Sequence, residues 1–326
     1  MTLSYVDQFN FPINKKEIYL RLLSLKNIKQ RIKSKSIGLK ELEKELLKLR
    51  RDRAVQHHKG YYLASKKSNN KKQRKENIKV LESYIVLRSK RKKISKVIEN
   101  KLKKHLIYLC KIPFVEAIGI TGNLAVESPN GVNDDIDLLV VTKANALWIC
   151  RFFVLIYSLI FNRQYFGLKK KNYNVLCLNM WLDENSLTIA KGQRNVYRAY
   201  ELCQARWVYD TSNIRMKIIK CNSWMSNILP HYYNHLMRET VGLKKENRKY
   251  YLNKKNPLNN VLLGLIGRIM QVLNLAFYLF QILFLVFKNK IPLAKIKINS
   301  AALHPRNSSC ELVHKRWESS LNEIQL

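Results

Sequence analysis

Apolar residues recur along this chain at helical spacing in some stretches and in short unbroken runs in others, and each pattern marks a region. Leu3, Val6 and Phe9 fall at helical spacing, as do Leu39, Leu42, Leu46 and Leu49. Pro12 ends the first helix, and Asn14 can cap a second over Lys15 to Leu25. Ala54 to Leu63 reads as strand, Gly60 turn and strand. Residues 66–75 hold almost no apolar side chain and read as a linker or basic loop. Helical spacing returns from Glu76 to Cys110, where the basic run Ser89 to Lys96 is expected to divide the segment into two helices.

The middle of the chain changes period. Phe114 to Thr121 and Ile136 to Thr142 are short, almost uninterrupted apolar runs, the pattern of buried strands. Ala144 to Phe161 is long, apolar and helical in length, and its place between strands suits the crossover helix of an α/β unit. Strands are expected over Asn174 to Leu182 and Ser186 to Ala190, then helices over Gln193 to Tyr209 and Asn213 to Leu229. His231 and His235 share a helix face but have no third ligand nearby in the sequence, so a packed or solvated pair is the simpler reading. Val261 to Phe287 is long enough to span a membrane. Its Arg268, Gln271, Asn274, Tyr278 and Gln281 trace one narrow stripe, which favours a buried helix with a single wet edge over insertion. A last amphipathic helix is expected over Cys310 to Leu321.

The candidate chemistry sits where the two middle strands meet. Residues two apart on a strand share a face, so Asp135 and Asp137 project together from the start of an apolar strand. Two such carboxylates repel unless a cation or shared proton relieves them, and oxygen ligands of this kind suit Mg²⁺. Gly122, after the preceding strand, lets the backbone approach a bulky anion. The plainer alternative takes Asn133 to Asp135 as a solvated turn and Gly122 as a loop glycine. Arg151, early in the crossover helix, could reach a phosphate or the carboxylates, or lie along its own helix.

Thr121-Gly122-Asn123, eleven further residues, then Asp135-Ile136-Asp137-Leu138 resembles the signature of the nucleotidyltransferase superfamily that includes DNA polymerase beta. The resemblance implies a mixed sheet flanked by helices. It implies Mg²⁺ ions held partly by Asp135 and Asp137, and a nucleoside triphosphate whose phosphates lie over Gly122 and Asn123. Asn123 stands where that family usually has Ser. The family's third carboxylate belongs on a later strand, where this chain offers Asn179, with Asp183 or Glu184 as substitutes from the strand end. The three helices and hairpin of the N-terminal region resemble a winged helix, whose third helix would carry Lys40, Lys44, Lys48 and Arg50.

Composition shifts the choice of partner. The chain of 326 residues is 47% hydrophobic, enough for a substantial core. Its 60 basic against 23 acidic side chains give a formal charge of +37, which calls for polyanions: nucleic acid, nucleotide or an anionic membrane surface. The Lys, Asn and Ile excess also fits an AT-rich coding sequence. Six cysteines without zinc-type spacing, and no signal peptide, point to a reducing cytoplasmic setting; membrane association through 261–287 is the alternative.

The expected architecture is therefore α+β: a winged-helix-like domain over 1–65, a basic linker and helix over 66–93, a nucleotidyltransferase-like domain over 94–191 and a helical region over 192–326. The expected activity is Mg²⁺-dependent transfer from a nucleoside triphosphate to an acceptor hydroxyl. Asp135 and Asp137 would serve as catalytic and metal residues, and Thr121, Gly122, Asn123 and Arg151 as nucleotide contacts. The rival expectation is a lapsed member of that fold serving as a DNA-binding or protein-interaction module.

Overall fold

A computed structural model describes residues 1–24, 37–65, 71–161, 176–242, 260–287 and 296–302, with Leu293, Arg316, Trp317 and Ser319. The N-terminal region runs α1 (Thr2–Asp7), β1 (Ile13–Asn14), α2 (Lys15–Leu20), α3 (Leu39–Arg51), β2 (Val55–His58) and β3 (Tyr61–Ala64). Its three strands form an antiparallel sheet in the order β1-β3-β2. Asn14 caps α2 as its sequence suggests: its side chain accepts from Glu17 N–H at 3.0 Å, and the Glu17 carboxylate accepts from Asn14 N–H at 2.9 Å. Lys59 and Gly60 both take positive φ, 47° and 79°, as a tight hairpin turn between twisted strands requires. The described part of α2 stops at Leu20, five residues short of the expected end, and Leu25 lies outside the described residues.

This region does not stand apart. Tyr5, Val6, Phe11, Ile13, Ile18, Leu42 and Leu46 share one core cluster with Val196, Tyr200, Cys203, Trp224, Met225 and Leu229. Trp317 is buried in the same cluster, edge-on to Tyr5; most of the helix expected over 310–321 lies outside the described residues. A segment of about 65 residues buries a smaller share of its surface than a larger domain does, so a shared core adds burial that it gains little of alone.

Next comes α4 (Lys71–Leu109), a single helix of 39 residues. It runs unbroken through Ser89 to Lys96 and across the boundary expected near residue 93. The stretch has no Gly or Pro, and Lys and Arg are good helix formers, so charge alone does not interrupt it. Arg88 fastens α4 to the N-terminal region. Its guanidinium lies 4.3 Å from the Phe11 ring centroid, donates to the Pro12 carbonyl and pairs with the Glu17 carboxylate.

Burial alone would raise the Glu17 carboxyl, but the hydrogen bond and charge of Arg88, then the Asn14 N–H and Arg21, hold it below the usual carboxylate range. A depressed folded pKa means stability present above the unfolded pKa and lost as pH falls through the folded one. Glu17→Gln should therefore cost about 1–3 kcal/mol at neutral pH. Denaturant unfolding of both proteins should show the gap closing in acid; a gap independent of pH would contradict the charge assignment.

The larger sheet contains β4 (Val115–Ile120), β5 (Ile136–Thr142), β6 (Leu176–Asp183), β7 (Arg206–Asp210), β8 (Ile296–Lys297) and β9 (Ser300–Ala302). Their order is β7-β4-β5-β6-β9-β8. Only β5 and β6 pair in parallel, so the sheet is mixed. The short α5 (Gly122–Ala125) follows β4, and α6 (Leu147–Phe161) lies between the parallel strands in the chain, as expected of a crossover. Ile136, Leu138 and Val140 face a core shared with α4, α6 and α10 (Asn260–Phe287). Leu139 and Val141 face the opposite cluster, which includes Ile214 and Ile218 of α8 (Ile214–Cys221).

Three sequence expectations differ here. Gln193 to Tyr209 is not one helix: α7 (Val196–Gln204) ends and Arg206–Asp210 forms the edge strand β7. Trp207, apparently in helical register, instead lies over Gly119, where an added Cβ would meet its ring at 3.5 Å. Ser186 to Ala190 is not a strand; the buried Asn222 amide bonds the Leu187 carbonyl at 2.7 Å and Ile189 N–H at 2.8 Å, taking the place of a neighbouring strand. Both flanks of the sheet, β7 and β8–β9, come from beyond residue 191, so the region expected to be helical completes the sheet.

Helix α10 corrects a fourth expectation. Its stripe is not a wet edge: Asn274 and Gln281 are buried, Asn274 accepting from Trp148 N–H at 2.8 Å and Gln281 donating to the Trp148 carbonyl at 2.9 Å. Arg268 and Gln271, at the start of the stripe, are exposed. Among the described residues no helix is long and apolar enough to cross a membrane. The paired histidines lie on α9 (Pro230–Gly242), His231 against the Tyr19 ring and His235 3.1 Å from Glu239.

Candidate functional site

The site forms where β4 ends and β5 begins. Thr121 N–H donates to the Asp137 carbonyl at 2.9 Å, locking the turn after β4 to the first turn-facing residue of β5. Gly122 has a φ of +62°, in the region that glycine adopts freely. A Cβ there would lie 2.4 Å from Asp137 Oδ2, so the glycine backbone rests directly on that carboxylate. Ile136 and Leu138 point into the α4–α6–α10 core, and strand alternation therefore turns Asp137 to the other face. Asp135 is exposed just before the strand. Loss of surrounding solvent, then the charge of Asp134, pushes the Asp135 carboxyl above the usual range.

Asp134 was not anticipated from the sequence as a member of the site. Its Oδ2 accepts from Asn130 N–H at 2.9 Å and from the Asn123 amide at 3.2 Å, closing the loop between the strands. Asn123 thus holds the loop as well as facing the site, and its carbonyl accepts from Ser128 N–H at 2.9 Å. The far end of α5 is held from outside, because Arg206 donates to the Leu124 carbonyl at 3.0 Å while pairing with Glu99 at 2.7 Å.

Arg151 is not brought to this site. It is buried between α6 and α10, donates to Gln281 at 3.0 Å and lies over Trp148, on the sheet face opposite to Asp137. Its helix is apolar all round, so the Arg151 guanidinium turns to the Gln281 amide of a neighbouring helix.

The third acidic position is also resolved differently. In the parallel pairing Asp137 lies opposite Cys177 and Leu139 opposite Met180, with a register shift between. Cys177, and not Asn179, is the residue beside Asp137; Asn179 falls within the shift. Asp183 pairs with Thr142, five residues and about 16 Å along the strand from Asp137. It accepts from Asn145 N–H at 3.2 Å and Asn185 N–H at 2.9 Å, the role of a local cap. Glu184 pairs with Lys217 at 2.9 Å. Neither reaches Asp135, and among the described residues no group of three or more His, Cys, Asp or Glu converges as a metal site.

A cavity of about 350 Å³ opens beside Gly122 and Asn123. Tyr5, Phe9 and Phe11 of the N-terminal region, Arg91 of α4, and Tyr197 and Tyr200 of α7 line it. Arg91 donates to Ser128 at 3.1 Å, while its Nε is buried without a hydrogen-bond partner. Arg21 Nη1, also in the wall, is likewise unsatisfied, with the Glu17 carboxylate 3.6 Å away. Buried guanidinium N–H groups of this kind favour a polar or anionic occupant. These wall residues were not singled out in the sequence, because they lie in separate segments that only the shared core brings together.

No family model, curated protein or solved structure matches this chain.

Proposed function

We propose that this chain binds a magnesium–nucleoside triphosphate at Gly122, Asn123, Asp135 and Asp137 and transfers a nucleotidyl group to an acceptor hydroxyl. The observation that carries this reading is the seating of the Gly122 backbone on the Asp137 carboxylate. On this reading, a turn able to accept an anion would lie beside an acid able to hold a cation. When bound, Mg²⁺ would neutralise charge on the triphosphate and the leaving pyrophosphate. Asp135 and Asp137 are the residues that would hold it, with phosphate oxygens and water completing the shell. The adjoining cavity would take the organic part of a substrate, with tyrosine rings for stacking and Arg21 and Arg91 as donors. Incubation with nucleoside triphosphates labelled at the α-phosphate should give Mg²⁺-dependent label transfer and pyrophosphate release. Absence of both with every triphosphate and a broad set of nucleic-acid, protein and small-molecule acceptors would contradict transfer.

The position of Cys177 beside Asp137 favours a second reading, a nucleotide-binding fold with little or no turnover. A neutral thiol there contributes less than a carboxylate to a second metal. Cys177→Asp should raise Mg²⁺ affinity about tenfold, the equivalent of one favourable charge contact. Unchanged affinity in a direct titration would show that this position does not face the metal.

The N-terminal order of helix, strand, two helices and hairpin, with sheet order β1-β3-β2, supports the winged-helix reading. Lys40, Lys44, Lys48 and Arg50 on α3 are all exposed and would meet nucleic-acid phosphates. The double change Lys44→Glu, Lys48→Glu should weaken DNA binding and flatten its salt dependence; affinity that survives it would argue against α3 as the contact.

A further inference from the structure

Helix α10 is turned the wrong way round for an ordinary surface helix. Its polar Asn274 and Gln281 point inward to α6, while Ile269, Val272, Leu273, Leu275, Leu279, Phe280 and Leu283 are exposed. Val272 and Phe280 are each 68% exposed and Leu283 61%, so these side chains stand clear of the protein. Positions 269, 272, 276, 279, 280 and 283 fall on one helix face, a ridge about 20 Å long. Phe153 and Ile156 of α6 are exposed as well, and Phe152 of α6 packs on Phe277 of α10. At the end of α4, Ile107 and Tyr108 are also exposed, Tyr108 stacked on Tyr157 of α6. An exposed apolar ridge of this length on α10 points to an interaction site.

Charge identifies the occupant. No charged residue interrupts 269–287, whereas Arg268 stands exposed at its start. Lys101, Lys103, Lys104 and Lys111 are exposed around Ile107 and Tyr108. An apolar ridge with a basic surround matches the boundary between acyl chains and anionic headgroups. A second copy of a chain carrying +37 would instead bring like charges together. The inward turn of Asn274 and Gln281 lets the helix lie along a bilayer with its polar amides satisfied by the protein.

We propose that the outer face of α10, with the neighbouring ends of α6 and α4, is a membrane-docking surface that rests on an anionic bilayer without crossing it. The protein would then act at a lipid surface, whatever its chemistry at Asp137.

Sedimentation of the full-length protein with phosphatidylglycerol-containing vesicles, against pure phosphatidylcholine vesicles, tests this. The native protein should bind the anionic vesicles, and Phe280→Glu with Leu283→Glu should weaken that binding at least about tenfold. Both side chains are mostly exposed, so circular dichroism and the melting midpoint of the variant should match the native protein. Replacing Lys103 and Lys104 by Glu should also weaken binding, and added salt should weaken it further. Vesicle binding undiminished in the Phe280, Leu283 variant would mean that basic charge alone holds the protein, and would overturn the proposal. Light scattering showing a native dimer that the same variant converts to monomer would overturn it too, by assigning the ridge to a second copy. Failure of the native protein to bind either vesicle would likewise reject it.

Discussion

On the proposed function, Asp137→Asn should lower nucleotidyl transfer by roughly a thousandfold while leaving the chain folded. The change keeps the side-chain shape on which Gly122 rests, removes the negative charge and turns one acceptor oxygen into an amide donor. It leaves untouched the main-chain bond from Thr121 N–H to the Asp137 carbonyl, which ties the two strands together. Its cost falls on the metal, because an amide oxygen holds Mg²⁺ far more weakly than a carboxylate. Transfer measured at saturating nucleotide, with circular dichroism as the folding check, decides the matter. Equal turnover by Asp137→Asn and the native protein would remove this residue from the chemistry.

Gly122→Ala should be the most damaging single methyl group in the site. Two effects act together. The backbone φ of +62° costs an L-residue about 1–2 kcal/mol. The new Cβ would lie 2.4 Å from Asp137 Oδ2, 3.2 Å from its Cγ and 3.3 Å from its Cβ. Rotating the carboxylate relieves only the first contact, so the turn itself must also shift. The sum is about 2–4 kcal/mol, read as a lower denaturant midpoint. Because the relief moves the carboxylate, binding of Mg²⁺ with nucleotide should fall even in the fraction that stays folded. Native stability with native nucleotide affinity would mean that the turn and the acid are not coupled.

The strands that carry the site were legible because they are long, apolar and bounded by turn residues: 114–121 and 136–142 closely match β4 and β5. The places of Gly122 and Asp137 at the strand ends follow from that reading, as does the partner strand after the α6 crossover, whereas their close contact appears only in the fold. The sheet edges were not legible. Arg206–Asp210 has Trp207 at helical spacing from the helix before it, and local periodicity cannot tell a helix end from a five-residue strand. Strands of two and three residues at 296–302 have no period at all.

The third acidic position failed for a different reason. Asn179 stands out in the sequence as the one polar residue of its apolar run, but polarity does not fix register: Cys177 pairs with Asp137, and a one-residue shift follows it. Arg151 and the α10 stripe share one cause. In both, polar groups sit in an apolar helix, and sequence alone does not say whether they face water or each other. Here Arg151 donates to Gln281, and Asn274 and Gln281 bond the Trp148 backbone, between the two helices.

In the proposed function, Asp135 and Asp137 form one magnesium–triphosphate site with Gly122. Calorimetric titration of a non-hydrolysable nucleoside triphosphate, with and without Mg²⁺, tests it most directly in the native protein and in the double variant Asp135→Asn, Asp137→Asn. The native protein should bind the nucleotide only with Mg²⁺, and the double variant should lose about a hundredfold or more in affinity. Equal affinity in the two proteins, or binding indifferent to Mg²⁺, would contradict it.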